Sequence, residues 1–315
     1  MLLESGRTAI LDGGLATALE AKGLDLSSAL WSAKVLQDNP EAIYETHLDY
    51  YRAGADVATT ASYQASAAGL REHLGMDEAE SRKLIQHSVK LAQRARDAVV
   101  KEQPSRRLFV AGSVGPYGAY LANGAEYTGE YSIGEQALRD FHRVRLRALV
   151  DAGVDVLACE TIPSMLEIQV LLDLLRNECP DSRAWLSCTL CDESHISDGT
   201  PVADVARLVG DNNQIIALGF NCIPQQLASA ALDHLRQQTY KPLIVYSNSG
   251  ELWDAETREW YGERPQGQAL KRLAEDWQSR GARLIGGCCR TTSDDIKIIA
   301  NTLKDDTQRT CEKET

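Results

Sequence analysis

The chain has 315 residues, 43% of them hydrophobic and 25% charged, with a formal net charge of −12, the composition of an ordinary globular protein. No stretch approaches the roughly 18 consecutive apolar residues of a membrane span, and no dense Lys/Arg run appears, so a membrane protein and a nucleic-acid binder are both disfavoured. The first residues, Met1-Leu2-Leu3-Glu4, turn acidic at once and lack an apolar run of signal-peptide length, so a cytoplasmic protein is expected, and its eight cysteines do not read as a disulfide scaffold.

Taken in chain order, short apolar or β-branched runs predict strands over 8–11, 56–62, 108–113, 154–159, 184–189, 215–221, 243–247 and 283–287. Between them, helical spacing is clearest over 41–53, 78–99, 133–152, 165–178 and 268–278. Strands alternating with helices imply crossover connections and a parallel sheet. Eight such units in a chain of this length predict an α/β fold, a single-domain (β/α)8 TIM-type barrel. Ala53-Gly54-Ala55-Asp56, Ala152-Gly153-Val154-Asp155 and Arg280-Gly281-Ala282 repeat one junction, a helix ended by glycine in the left-handed cap position before the next strand. No Pro/Ser/Gly-rich linker divides the chain, so the barrel domain is expected over 1–303, with 304–315 a charged, frayed tail.

In such barrels the active site lies at the C-terminal ends of the strands, and the unusual residues fall there. Asp12-Gly13-Gly14 follow the first strand, Glu160-Thr161 the fourth, Asn221-Cys222 the sixth, Asn248-Ser249-Gly250-Glu251 the seventh and Cys288-Cys289 the eighth. Three thiols at one end of the barrel are enough to hold one Zn2+ and leave a position open, the arrangement of a catalytic rather than a structural zinc. A redox-active thiol pair is the rival reading; a disulfide between the neighbours Cys288 and Cys289 is geometrically awkward. A substrate thiol in the open position would be deprotonated by the metal and remain nucleophilic beside the electron-rich thiolates. Cys159, Cys179, Cys188, Cys191 and Cys311 read as ordinary small or surface residues. Asp12 has two readings. It is a helix N-cap, or it meets an ammonium group while the amides of Gly13, Gly14 and Leu15 bind a carboxylate, which together would suit an amino acid. Glu160, after a very apolar strand, reads as functional rather than capping.

These residues resemble a known family, the homocysteine S-methyltransferases, zinc enzymes built on a (β/α)8 barrel. The resemblance runs from about Ile10 to Thr292. It is carried by Leu11-Asp12-Gly13-Gly14, Leu30-Trp31-Ser32-Ala33-Lys34, Thr59-Thr60-Ala61-Ser62-Tyr63-Gln64 and Gly112-Ser113-Val114-Gly115-Pro116, and further on by Glu160-Thr161-Ile162-Pro163, Gly219-Phe220-Asn221-Cys222 and Gly286-Gly287-Cys288-Cys289-Arg290-Thr291-Thr292. The S-methylmethionine-using bacterial and plant enzymes are the nearest subgroup. The resemblance implies that Cys222, Cys288 and Cys289 bind Zn2+, and that Asp12 and Glu160 hold the amino-acid end of homocysteine. It implies methyl transfer from a sulfonium donor to the homocysteine thiolate, giving methionine. The resemblance to that subgroup implies S-methylmethionine as the donor, with S-adenosylmethionine or a betaine-like ammonium as rivals. Trp31 and Tyr63 are candidate aromatic faces for the donor's positive charge, and Asn221 and Glu251 complete the candidate substrate residues. Many relatives read Tyr-Pro-Asn-Ser-Gly-Glu where this chain has Tyr246-Ser247-Asn248-Ser249-Gly250-Glu251, which loosens the loop and weakens the roles of Asn248 and Glu251. Selenocysteine is a rival acceptor, and a non-catalytic zinc-dependent thiol sensor is the rival from another class.

Overall fold

The computed structural model describes residues 2–3, 7–26, 30, 32–254 and 259–311. Eight parallel strands form one sheet: β1 (Ala9–Ile10), β2 (Val57–Thr59), β3 (Phe109–Val114), β4 (Val156–Ile162), β5 (Ala184–Cys188), β6 (Ile215–Asn221), β7 (Leu243–Ser247) and β8 (Ala282–Gly287). Each lies beside its sequence neighbour and β8 returns to β1. Pairing of Leu11 with Val57 and the bond from the Asp56 N–H to the Ile10 carbonyl, 2.7 Å, close the ring between β1 and β2. A helix follows every strand: Pro40–Ala53, Glu78–Glu102, Glu135–Asp151, Met165–Glu178, Val202–Val209, Gln225–Arg236, Gln268–Ser279 and Ser293–Cys311. The expected (β/α)8 barrel is therefore the observed one.

Alternation along the strands divides the core in two. Ala9, Leu11, Val57, Ala111, Ala158 and Ala217 point inward and pack around the large Trp185 and Tyr246. Ile10, Val110, Leu157, Leu186, Leu218 and Ile285 point outward and join the helices in the larger cluster. Small inward residues opposite two large aromatics fill the interior, as a barrel whose centre is packed rather than hollow requires. Gly219 lets β6 approach β7 closely, since a Cβ there would lie 1.9 Å from the Ile244 carbonyl oxygen.

The helix-to-strand junctions behave as their sequences predict. Gly54, Gly153 and Gly281 have φ of +113°, +80° and +102°, the left-handed region that glycine enters without strain. The aspartates two residues after the first two glycines then stitch the sheet. Asp56 accepts from the Ile10 N–H at 3.1 Å, and Asp155 accepts from the Val110 N–H at 2.7 Å. Asp56 also pairs with Lys304 at 2.8 Å, whose ammonium reaches the Gly54 carbonyl at 2.7 Å. The last helix thus runs through the boundary expected at residue 304.

Further features depart from the sequence reading. β4 ends at Ile162 rather than 159, and its register against β5 shifts between Cys159 and Ile162. Thr161 there has φ +61°, so the strand end is bulged, a device that re-aims side chains beside functional sites. Two hairpins were also not anticipated, Leu190–Asp192 with His195–Ile196 and Leu252–Asp254 with Glu259–Tyr261. Among the described residues no helix is long and apolar enough to cross a membrane.

Candidate active site

The ends of β6 and β8 bring three sulfurs together. The Sγ atoms of Cys222, Cys288 and Cys289 all lie within 4.8 Å of one another, and Cys222 and Cys289 are 3.4 Å apart. The end of β7 sits between and fixes both segments. The Cys222 N–H donates to the Tyr246 carbonyl at 3.0 Å and the Cys288 N–H to the Ser247 carbonyl at 2.8 Å. Asn248 Oδ1 accepts from the Cys289 N–H at 3.2 Å, and the Ser249 N–H returns a bond to the Cys289 carbonyl at 3.0 Å. Cys222 has φ +53°, a conformation that costs a non-glycine residue on the order of 1–3 kcal/mol and persists only when its surroundings impose it. Hydrogen bonds from Cys222 and Cys288 pull the Cys289 thiol well below its usual value. Cys288 is pushed up by its bonds to Cys222 and Cys289 and by burial. Three soft donors in this arrangement are a candidate metal centre.

Two carboxylates lie buried at the same mouth, Asp12 at 6% and Glu160 at 7% exposure. Asp12 accepts from the Thr59 N–H at 2.7 Å and the Thr59 hydroxyl at 3.0 Å. Burial still pushes its carboxyl up to about 7 against those bonds, and the charge of Glu160 adds to the rise. Glu160 accepts from the Ser113 hydroxyl. Burial raises it to about 7 against that bond and one from Tyr246. No ion pair involves either carboxylate among the described residues. Two buried acids, each raised by desolvation and Asp12 further by the charge of Glu160, are electrostatically suited to a cation, which would relieve both the desolvation and the repulsion. Of the two readings of Asp12, the structure disfavours the cap: the helix Leu15–Ala21 has Gly14 at its N-cap and no side-chain cap bond.

Asn221 holds the bulge. Its Oδ1 accepts from the Thr161 N–H at 2.7 Å and from the Ser187 hydroxyl at 2.8 Å, while its Nδ2 donates to Thr161 Oγ1 at 2.8 Å. Ser187 continues to the Tyr246 hydroxyl at 2.6 Å, which accepts from Trp185 Nε1 at 3.0 Å. The expectation that Asn221 touches substrate gives way to a different geometry: it is fully buried and its amide is occupied in orienting Thr161 and, through it, Glu160. Asn221→Ala leaves buried donors unpaired at 1–3 kcal/mol each. We expect a loss of about 3 kcal/mol and a melting temperature lower by about 4–5 °C. A calorimetric scan within a degree of the parent would refute this role.

The remaining sequence-predicted residues divide. The Gly14 N–H already donates to Thr291, to its Oγ1 at 3.1 Å, so it does not face a substrate carboxylate. Gly13 and Gly14 are required by close packing, because a Cβ on Gly13 would lie 2.9 Å from Thr291 Oγ1 and one on Gly14 2.6 Å from the Cys288 carbonyl. Glu251 is engaged by Arg290 at 3.1 Å and by the Ser249 hydroxyl at 2.7 Å. Tyr63 lies in the electrostatic range of Glu126, Cys222 and Glu160 and belongs to the mouth. Trp31 lies outside the described residues.

Sequence reasoning missed Thr59, Ser113 and Tyr246, which hold the carboxylates, and Glu126 and Tyr127, which approach the thiols. Glu126 is 4% exposed, its Oε2 has no partner among the described residues, and burial pushes it up to about 7. The Tyr127 hydroxyl lies 3.1 Å from Cys222 Sγ. Both come from the long connection after β3, where no strand end marks them; the glycines Gly124 and Gly129 flanking them were the available signal.

The sequence pattern of one family, described as homocysteine S-methyltransferase, matches residues 9–303. The chain is 53% identical over 299 residues to a homocysteine S-methyltransferase of Escherichia coli (strain K12), covering 95% of this chain and 96% of that one. It is 47% identical over 303 residues to the homocysteine S-methyltransferase YbgG of Bacillus subtilis (strain 168), covering 95% of each. Among solved structures, the metallated form of the homocysteine methyltransferase MmuM from Escherichia coli superposes with a TM-score of 0.85 at 51% identity, covering 94% of this chain and 96% of that chain. A closed barrel with three thiols at its mouth, matched over almost its whole length by such relatives, places this chain in the homocysteine S-methyltransferase family.

Proposed function

We propose that the protein transfers a methyl group from a sulfonium donor to the thiolate of L-homocysteine, giving methionine, at a Zn2+ centre formed by Cys222, Cys288 and Cys289. The observation that carries this reading is the convergence of three sulfurs within 4.8 Å beside two buried carboxylates. Zn–S bonds of about 2.3 Å in a tetrahedral site put the sulfurs about 3.8 Å apart, and the gathered cysteines fit that set with one position left for a substrate sulfur. Zn2+ bound there supplies a thiolate nucleophile at neutral pH.

The chain's own residues bind and orient. Asp12 and Glu160 receive the homocysteine ammonium, kept in place by Thr59, Ser113 and Tyr246. The Gly13 and Leu15 amides are the donors of the β1 turn for its carboxylate. The Tyr63 ring, among the carboxylates and thiols, offers an aromatic face to the donor's positive centre. Bringing two sulfurs into line supplies much of the rate, since no proton moves during the transfer itself. S-methylmethionine is the donor we favour, because the sequence motifs resemble those of enzymes that use it. The reading carries with it a cytoplasmic enzyme acting on small molecules, with no nucleic-acid or membrane partner.

The test is methionine formation from homocysteine with a panel of donors at fixed Zn2+: S-methylmethionine, S-adenosylmethionine and betaine. Turnover is expected with S-methylmethionine and is expected to vanish on chelation while the circular dichroism of the barrel persists. Homocysteine binding without turnover on any donor would instead identify a thiol sensor, and turnover in metal-free protein would overturn the mechanism.

A further inference from the structure

Tyr127 takes no part in the reaction as described above. It ends the single turn Ala125–Tyr127, and it is 43% exposed; an exposed tyrosine would ordinarily point its hydroxyl to water. Here the hydroxyl turns inward and stops 3.1 Å from Cys222 Sγ.

The turn that places it is fixed from several sides. Ala122 and Gly124 have φ of +50° and +84°. Asn123 Oδ1 accepts from the Ala125 N–H at 3.1 Å, and Thr189 Oγ1 donates to the Glu126 carbonyl at 2.8 Å. Gly118 presses against the turn so closely that a Cβ would lie 2.5 Å from the Glu126 nitrogen. On either side of the turn, buried Glu167 accepts from the Tyr117 N–H at 2.7 Å and from the Tyr131 hydroxyl. A non-glycine residue in the left-handed region, held by this many partners, marks a position the fold imposes.

We infer that the Tyr127 hydroxyl donates a hydrogen bond to the Cys222 thiolate of the metal-loaded centre, making Tyr127 a positioning residue that holds that sulfur in place and draws charge from it. The direction of the bond follows from the chemistry. A thiolate can only accept, so the hydroxyl 3.1 Å from it is the donor. A hydrogen bond to an ionised acceptor is about twice as strong as a neutral one, and partners of metal ligands typically change metal affinity about 10- to 100-fold. The inference rests on the three-cysteine metal site proposed above.

Co2+ in place of Zn2+ tests it without reference to turnover. The parent protein and Tyr127→Phe are titrated with Co2+ and their spectra compared. Both are expected to show a thiolate-to-cobalt charge-transfer band. In the variant the band should lie at longer wavelength, because the undamped sulfur gives up its electron more readily, and Co2+ affinity should fall about tenfold. Phenylalanine keeps the ring, so a role in packing alone would leave the band in place. An unshifted band overturns the inference whatever the affinity does. Absence of any such band in the parent would overturn the metal site itself, and the hydrogen bond with it.

Discussion

Cys288→Ala is expected to strip the metal from the protein and lower methyl transfer about a thousandfold while the barrel stays folded. The proposed centre is formed by three sulfurs drawn from two segments. Tetrahedral thiolate sites bind zinc with apparent free energies of about 10–16 kcal/mol, so removing one sulfur of three costs on the order of 4 kcal/mol, about a thousandfold in affinity. Cys288 is only half buried at the mouth, and its backbone N–H remains bonded to Ser247 whatever the side chain. Compared as metal-free proteins, parent and variant should therefore melt within about 2 °C of one another, whereas the metal-loaded parent should melt higher through linkage. Metal content after dialysis, counted by atomic emission, decides the matter. Full occupancy in the alanine variant would mean that the centre is not built from these three cysteines.

Glu160→Gln should raise the KM for homocysteine about 10- to 100-fold, leave kcat within a factor of a few, and leave metal content unchanged. Hydrogen bonds to charged groups are worth about 1.5–3 kcal/mol, and an ammonium held equally before and during methyl transfer contributes uniform binding, which appears in KM. The pH dependence carries the sharper signature. Only ionised carboxylates hold the ammonium, so kcat/KM for homocysteine should climb as pH rises through about 7, where burial has placed both Asp12 and Glu160. In the variant Asp12 loses the repulsion of Glu160, ionises at lower pH, and the climb moves down with it. Stability runs the other way. The folded carboxyls keep their protons up to about 7, against ordinary values of 3.8 and 4.5. Their contribution is complete below those ordinary values and is lost as pH rises through about 7. The homocysteine-free variant, with one acid fewer to ionise in the interior, should therefore lose less melting temperature between pH 6 and pH 8 than the parent. An unchanged KM or an unmoved pH profile would exclude Glu160 from the ammonium site.

The sequence read differently at different ranges. The interior strands β3 to β8 were legible because both faces are buried, leaving continuous apolar runs bounded by glycine or polar turns. The short β1 and β2 were read too long, since Thr8 and Leu11 around the first and Thr60 to Ser62 after the second extend the strand-like pattern beyond the ladder. The thiols announced themselves because cysteines at two strand ends are rare and chemically loud. The partners of the carboxylates were silent: a serine such as Ser113 or a threonine such as Thr59 carries no local sign that it will face an acid on another strand. The same holds for Asn221, which sequence placed correctly at the mouth of β6 but could not distinguish as a support for Thr161 rather than a contact for substrate.

Two kinds of information are thus separated in this chain. Period, glycine punctuation and residue chemistry along the sequence by themselves determined the (β/α)8 barrel, the face that carries the site and the three cysteines at its centre, because each depends on neighbours within a few positions or on a strand end. Only the tertiary structure decided which groups hold those residues in place: the bulge that turns Glu160 inward, the Thr291 bond that occupies the Gly14 amide, and the Tyr127 hydroxyl brought to Cys222 across 95 residues. Such contacts arise from closing the barrel, which sets strand ends distant in sequence a few ångströms apart, and no local pattern encodes that distance.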